Sequence, residues 1–200
     1  MSDSWDDYAE EWDANPEVVR YAELAFDSLR DTLSSNDLLS SKSSRILDFG
    51  CGTGLLTEKL VGSAKDVVSL DLSSKMVEVL NKKGLASVTT VVDELSRNLL
   101  ERHPAFHQPF DLIVASSALA FVPDFEATLF LLHSCLSSQG VLVQWDWLKP
   151  SDESDMGFSK SELTQAYQTC GFTDVVMSEP FSMTSPNGEL PVVMVVARKG

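Results

Sequence analysis

Basic residues and cysteines are scarce in this chain of 200 residues, and each shortage argues against a class of protein. Fifteen lysines and arginines stand against 30 acids, which gives a formal net charge of −15. Nucleic-acid surfaces need a basic stripe, so DNA, RNA and anionic membranes are disfavoured as partners. The three cysteines are scattered without metal-ligand spacing and suit a reducing compartment. We therefore expect a cytoplasmic protein without a metal site.

Long apolar runs are missing as well. No stretch is long and apolar enough to cross a bilayer, and the acidic N-terminus does not look like a signal peptide. No internal repeat is evident. With 44% hydrophobic residues, the chain is expected to form one ordinary globular fold with a sufficient core.

The strongest positive signal is a glycine-rich turn between a predicted strand, residues 45–49, and a predicted helix that starts at Leu55. Three glycines occupy alternate positions of this turn: Gly50, Gly52 and Gly54. Glycine permits positive φ and lets a ligand approach the backbone, and the helix behind the turn offers unpaired N–H groups. This arrangement predicts a nucleotide site.

The spacing of the glycines indicates which nucleotide is bound. A dinucleotide fingerprint, G-x-G-x-x-G, would need its last glycine at Leu55, one residue after Gly54. The pattern from Asp48 onward, D-x-G-x-G-x-G, instead resembles the first motif of the class I S-adenosylmethionine-dependent methyltransferases. That resemblance covers about residues 44–199. Cys51 occupies a position of the loop that takes a small residue, so we expect it to pack there rather than to take part in chemistry.

The resemblance implies contacts between the cofactor and the ends of the first four strands. Asp71 ends the second predicted strand and would bind the ribose hydroxyls, although an acid there also suits a helix start. Met76 would flank the adenine or simply fill the core. Asp93, or Glu94 in its place, would accept a hydrogen bond from the adenine amino group. The implied cofactor-binding residues are Asp48, Gly50, Cys51, Gly52, Gly54, Asp71, Leu72, Met76, Asp93, Glu94 and Ser116.

The acceptor side is less well defined by the sequence. Many small-molecule members of the family carry a histidine where Phe121 stands, and the N-P-P-Y or D-P-P-Y tetrad of the DNA-amino and glutamine methyltransferases is missing. The fifth predicted strand, residues 140–147, ends in two tryptophans and a carboxylate. Asp146 is the candidate catalytic base for an oxygen acceptor. The predicted acceptor-binding residues are Trp12, Phe121, Trp145 and Trp147, with one strand tryptophan expected in the core.

The two ends of the chain complete the predicted organisation. Residues 1–43 form an acidic segment whose aromatic residues recur at helical spacing, and residues 44–200 form the core. Similar openings occur in small-molecule members, where N-terminal helices cap the cofactor; docking of the segment on the sheet is an equally good interpretation. At the other end, strands at 172–183 and 192–197 match the family's reversed final strand.

Together these features predict an α/β fold with a doubly wound, mostly parallel seven-stranded sheet, an antiparallel last strand and an N-terminal helical cap. The predicted function is methylation of a small neutral or cationic molecule by S-adenosylmethionine, with no nucleic-acid or membrane partner. Methylation of a basic protein or peptide and non-catalytic cofactor binding are the alternatives. A nucleotide-dependent oxidoreductase ranks below them because of the displaced glycine.

Overall fold

Strands and helices alternate along most of the chain. The computed structural model describes residues 5–34, 38–39, 42–149, 157–185 and 188–200. The strands are β1 (Arg45–Phe49), β2 (Asp66–Asp71), β3 (Val88–Val92), β4 (Phe110–Ser116), β5 (Leu136–Trp147), β6 (Phe172–Ser185) and β7 (Gly188–Lys199). The helices are α1 (Pro16–Thr32), α2 (Leu55–Leu60), α3 (Ser74–Lys82), α4 (Arg97–Arg102), α5 (Phe125–Cys135) and α6 (Lys160–Thr169). Short 3₁₀ turns occur at Trp12–Ala14, Pro104–Phe106 and Leu119–Phe121.

All seven strands form one sheet in the order β3-β2-β1-β4-β5-β7-β6. The pairs from β3 through β5 are parallel, whereas β7 runs antiparallel to both β5 and β6. The predicted seven-stranded sheet with a reversed last strand is therefore confirmed. The strand order changes direction between β1 and β4, and in open α/β sheets ligands bind outside the carboxyl ends of the strands at that point.

The largest differences from the predicted boundaries are in β5 and in the final hairpin. β5 starts at Leu136 rather than at residue 140, directly after α5. β7 starts at Gly188 rather than at residue 192 and includes Pro191, a residue type uncommon inside sheets. The proline is tolerated because β5 ends beside it, at Trp147, and its carbonyl accepts the Leu148 N–H at 3.0 Å. Residues 186 and 187 of the predicted turn lie outside the described residues.

Helices cover both faces of the sheet. On one face, Leu99 of α4, Leu132 of α5 and Leu163 of α6 are fully buried in one hydrophobic cluster. On the other face, Leu29 of α1 and Leu60 of α2 are fully buried in a second cluster. α1 is thus part of the core layer in addition to its position near the strand ends, and the division at residue 43 stays a prediction.

α1 begins at Pro16, with Asn15 as its N-cap. The Asn15 side chain accepts the Glu17 N–H at 3.0 Å, and Pro16 occupies the first helical position, where no N–H is needed. No helix within the described ranges has the length and apolar character needed to cross a membrane.

Candidate functional site

A cavity of about 400 Å³ lies at the carboxyl ends of the parallel strands, at the reversal of the strand order. With the exception of Gly54, all of the predicted cofactor-binding residues line it. Trp12, Phe121 and Trp147 of the predicted acceptor set also line it, whereas Trp145 and Asp146 do not. The fold therefore brings most of the predicted site residues to one space.

The glycine loop is shaped by two close approaches. At Gly50, where φ is +68°, an added Cβ would lie 2.4 Å from the Ala118 Cβ. At Gly54, where φ is +84°, it would lie 2.2 Å from the Leu80 Cδ1 of α3. Gly54 packs against α3, is the N-cap of α2 and is not among the residues that line the cavity, and its contact with the cofactor stays a prediction. At Gly52 the nearest atom to an added Cβ is the Trp12 Nε1, at 3.9 Å.

Asp48 is a buried acid at the floor of the cavity. The Thr57 hydroxyl donates to its Oδ2 at 2.6 Å and lies 3.0 Å from the Ser69 hydroxyl. Burial raises the pKa of Asp48 to about 7, against the lowering effect of the Thr57 hydrogen bond. A cationic group beside this carboxyl would favour its ionised form.

Asp71 holds the glycine loop against the start of α3. Its Oδ2 accepts the Gly52 N–H and its Oδ1 accepts the Ser73 N–H, both at 2.8 Å. Burial raises the pKa of Asp71, and these amide hydrogen bonds counteract the shift. Each carboxylate oxygen keeps a second lone pair that a ligand hydroxyl can use. Sequence reasoning proposed the ligand role and missed the bond to Gly52.

The acids that follow β3 lie at the next strand end. Asp93 forms an ion pair with Arg102, and its Oδ1 accepts the Glu94 N–H at 2.8 Å. Across the cavity wall, Leu72 is half exposed and Met76 is buried. Met76 both packs in the core and lines the cavity, so the two interpretations of this methionine are compatible.

An N-terminal strap, residues 5–15, lies over the glycine loop. Trp5 packs edge to face against Trp12 and Phe121, with ring centroids 5.8 and 5.1 Å apart. Asp6 accepts a hydrogen bond from Ser73, and Asp13 accepts one from Thr53. The sequence carried a signal for these anchors, since each follows a tryptophan and the Trp-Asp pair repeats after seven residues.

Lys83 of α3 strengthens the second anchor of the strap. Its ammonium group lies 2.8 Å from both the Asp13 and the Glu58 carboxylates. The lysine side chain is largely buried and its pKa is raised, because the two carboxylates outweigh the effect of burial.

Trp145 is a core residue, so its predicted contact with the acceptor is wrong. It is fully buried, and its Nε1 donates to the Ser28 hydroxyl of α1 at 2.9 Å. Trp147, two residues further along β5, reaches the cavity and packs on Tyr21 with ring centroids 5.4 Å apart. Both indoles point to one face and contact α1, but only Trp145 is fully buried there, whereas Trp147 also lines the cavity.

Asp146 points to the opposite face of the sheet, which corrects its prediction as a catalytic base. It is fully buried, and its Oδ2 accepts from the Gln144 amide, whose oxygen accepts from the Tyr167 hydroxyl; both bonds are 2.8 Å long. Burial raises the pKa of Asp146 to about 7, while Gln144 and the amides of Ala120 and Leu119 lower it. This network lies next to the 3₁₀ turn that carries Phe121.

The family of the chain follows from a comparison with known proteins. A family model described as a methyltransferase domain matches residues 19–172, and the chain belongs to this family. The chain is 30% identical over 131 residues to an uncharacterized methyltransferase of Schizosaccharomyces pombe, covering 61% of this chain and 45% of the relative. A malonyl-[acyl-carrier protein] O-methyltransferase of Hamiltonella defensa is 32% identical over 127 residues, covering 64% and 44%. The chain thus spans less than half the length of these relatives.

Solved structures show the same fold. DhpI in complex with S-adenosylhomocysteine superposes with a TM-score of 0.73 at 23% identity and covers 100% of this chain and 95% of its own. A SAM-dependent methyltransferase from Thermotoga maritima has a TM-score of 0.72 at 17% identity and covers 100% of both chains. The predicted class I methyltransferase fold is confirmed, and S-adenosylmethionine is the cofactor of that class.

Proposed function

We propose that this chain transfers the methyl group of S-adenosylmethionine to a small, neutral or cationic acceptor held in the cavity. The observation that carries the proposal is the make-up of the cavity wall. Acids from the ends of β1, β2 and β3 and aromatic rings from the strap and from β5 line one space. Membership of the methyltransferase family supports the reaction, and a ubiquinone biosynthesis O-methyltransferase among the relatives supports a small acceptor.

The residues around the glycine loop fit S-adenosylmethionine by their chemistry. Asp48 would accept hydrogen bonds from the ammonium group and Asp71 from the ribose hydroxyls, while Asp93 or Glu94 would accept one from the adenine amino group. Gly52 leaves room over the loop because nothing but Trp12 lies within 4 Å of a Cβ built there. When bound, S-adenosylmethionine supplies a methyl group that its sulfonium already activates.

The transfer needs alignment more than acid–base help. A lone pair on the acceptor forms a bond to the methyl carbon while the carbon–sulfur bond breaks, and that electron pair stays on sulfur. Among the described residues, no histidine, lysine or arginine lines the cavity. The acceptor proton would leave to water or to a carboxylate of the cavity wall, which suits a nitrogen acceptor or an acidic one. The wall residues Trp5, Trp12 and Phe121 orient the acceptor and exclude water.

Two other functions use the same cofactor residues. The acidic charge is compatible with a basic protein or peptide as acceptor. A SAM-binding module without catalysis would keep the glycine loop and the strand-end acids, because binding and catalysis share them. Activity measurements separate these cases.

The decisive experiment combines ligand binding with turnover. In a thermal-shift assay, S-adenosylmethionine and S-adenosylhomocysteine should each raise the melting temperature of the protein, and NAD should not. Mass spectrometry should then detect S-adenosylhomocysteine when small amines, phenols and thiols are supplied. Binding without release of that product, against both the panel and a basic peptide, would favour the non-catalytic module. A shift with NAD alone would contradict the proposal and favour a nucleotide-dependent oxidoreductase.

A further inference from the structure

Five of the residues that line the cavity belong to three elements outside the glycine loop. α1 contributes Glu17 and Tyr21, β5 contributes Trp147, and β6 contributes Met183 and Thr184. We call these five residues the acceptor subsite. Glu17 and Tyr21 are four residues apart on a helix, which puts their side chains on one face, one turn apart.

Charge is the first property of the acceptor subsite. The Glu17 side chain forms no ion pair with any residue in the described part of the chain. The acids elsewhere on the cavity wall belong to the proposed cofactor side, and the described lining contains no base. An anionic acceptor would meet a carboxylate and no cation in the acceptor subsite. A cationic acceptor would complete a charge pair.

The second property is an unsatisfied polar atom in an aromatic wall. Tyr21 is 7% exposed, and its hydroxyl has no hydrogen-bond partner among the described residues. Its ring lies 5.4 Å from the Trp147 ring and 5.3 Å from the Phe181 ring. A buried hydroxyl without a partner costs free energy, which a hydrogen-bonding ligand group would recover.

Burial, together with the nearby Asp146 carboxylate, raises the pKa of Tyr21 well above its usual range, so the phenol stays protonated at neutral pH. Its oxygen keeps lone pairs for an incoming N–H donor.

From these observations we propose that the acceptor subsite binds an ammonium group of the methyl acceptor. The Glu17 carboxylate would pair with its charge, the Tyr21 oxygen would accept one of its N–H bonds, and the Trp147 ring would add a cation–π contact. This inference rests on the proposed function and narrows its acceptor to an amine-bearing small molecule.

The test compares binding affinities within matched sets of probes. Each set contains a primary or secondary amine, an alcohol and a carboxylate on one carbon skeleton, for example 2-phenylethylamine, 2-phenylethanol and phenylacetate. Calorimetry is done on the full chain saturated with S-adenosylhomocysteine. At least one amine should bind about tenfold more tightly than its alcohol, and the carboxylates should not bind. Absence of amine binding across the panel, or equal binding of carboxylates, overturns the inference.

Two variants test the residues themselves. Glu17→Gln should weaken amine binding about fivefold to tenfold while the alcohol is unaffected, since the carboxylate is partly solvated. Glu23→Gln, an exposed acid of the same helix away from the cavity, is the control and should leave both unchanged. Tyr21→Phe keeps the ring and should weaken the amine about threefold to tenfold.

Measurement of S-adenosylhomocysteine binding shows whether a negative result contradicts this inference alone or the proposed function as well. S-adenosylhomocysteine should bind the wild type and all three variants equally. If it does not bind the wild type, the proposed function fails. If it binds and the amine preference does not depend on Glu17 and Tyr21, the acceptor subsite alone is wrong.

Discussion

The Asp71 carboxylate and the Gly52 amide are joined by a 2.8 Å hydrogen bond, so the acid that ends β2 also fixes the glycine loop. A residue assigned to the ribose on sequence grounds thus has a second task within the protein. Substitution of this acid should affect a bound ligand both directly and through the shape of the loop. The site is at a strand end, and the core behind it does not depend on the carboxylate.

Asp71→Ala should therefore weaken binding of S-adenosylmethionine by about 1–3 kcal/mol, as expected when a charged hydrogen-bond partner is removed. Circular dichroism should report an intact fold. Asp66, at the opposite end of the same strand, pairs with Arg45 and serves as the control. Asp66→Ala should leave the affinity for S-adenosylmethionine unchanged. Unaltered calorimetric affinity of the Asp71 variant would reduce this acid to a support for the loop and the start of α3.

The anchor between Asp13 and the core should control exchange of the cofactor. Asp13 pairs with Lys83 and accepts from Thr53, and Trp12 beside it lies over Gly52. Asp13→Asn should loosen the strap and speed dissociation of S-adenosylhomocysteine severalfold, equivalent to about 1 kcal/mol for a partly exposed pair. Stopped-flow tryptophan fluorescence measures the rate, and the exposed Asp7→Asn serves as control. Identical rates in both variants would mean that the strap does not gate the cavity.

Substitution of the two tryptophans of β5 should have different effects, mainly on stability at Trp145 and mainly on turnover at Trp147. Trp145→Ala should cost about 3–5 kcal/mol of unfolding free energy, because it leaves a void beneath α1 and removes the bond to Ser28. Trp147→Ala should cost less and lower turnover, since this ring lines the cavity. Urea titration and kinetics on the acceptor measure the two effects. Full turnover by Trp147→Ala would remove that ring from the proposed acceptor site.

The sequence predicted the parts of the site that short stretches of chain determine. The glycine loop and the acids at the ends of β1, β2 and β3 are local patterns of strand, turn and helix. Trp145 and Trp147 could not be told apart in the same way, because alternation puts both on one face and the position of α1 above them is a tertiary fact. The Asp6–Ser73 and Tyr167–Gln144 contacts likewise join elements 67 and 23 residues apart.

The unsatisfied hydroxyl of Tyr21 predicts an effect on stability without any ligand. Tyr21→Phe removes a buried group that has no partner in the described residues and keeps the ring contacts with Trp147 and Phe181. The free protein should become more stable by about 1 kcal/mol in urea unfolding. The partnered phenol of Tyr167 is the control, and Tyr167→Phe should destabilise because Gln144 loses its donor. A less stable Tyr21→Phe protein would show that its hydroxyl is already satisfied.

Stability should fall as the pH rises from about 4 to about 7. Burial raises the pKa of both Asp48 and Asp146 to about 7 in the folded protein, whereas an aspartate in the unfolded chain titrates near 3.9. In that window these two carboxyls bind more protons in the folded state than in the unfolded state, so through them each rise in pH favours unfolding. Asp146→Asn removes one of the two groups and should make the decline shallower, as measured by urea unfolding between pH 4.5 and 8. Glu23→Gln, an exposed acid, should leave the slope unchanged. If Asp146→Asn follows the wild-type curve, the buried carboxyl does not titrate in this range, and its network beside the Phe121 turn stays in one protonation state.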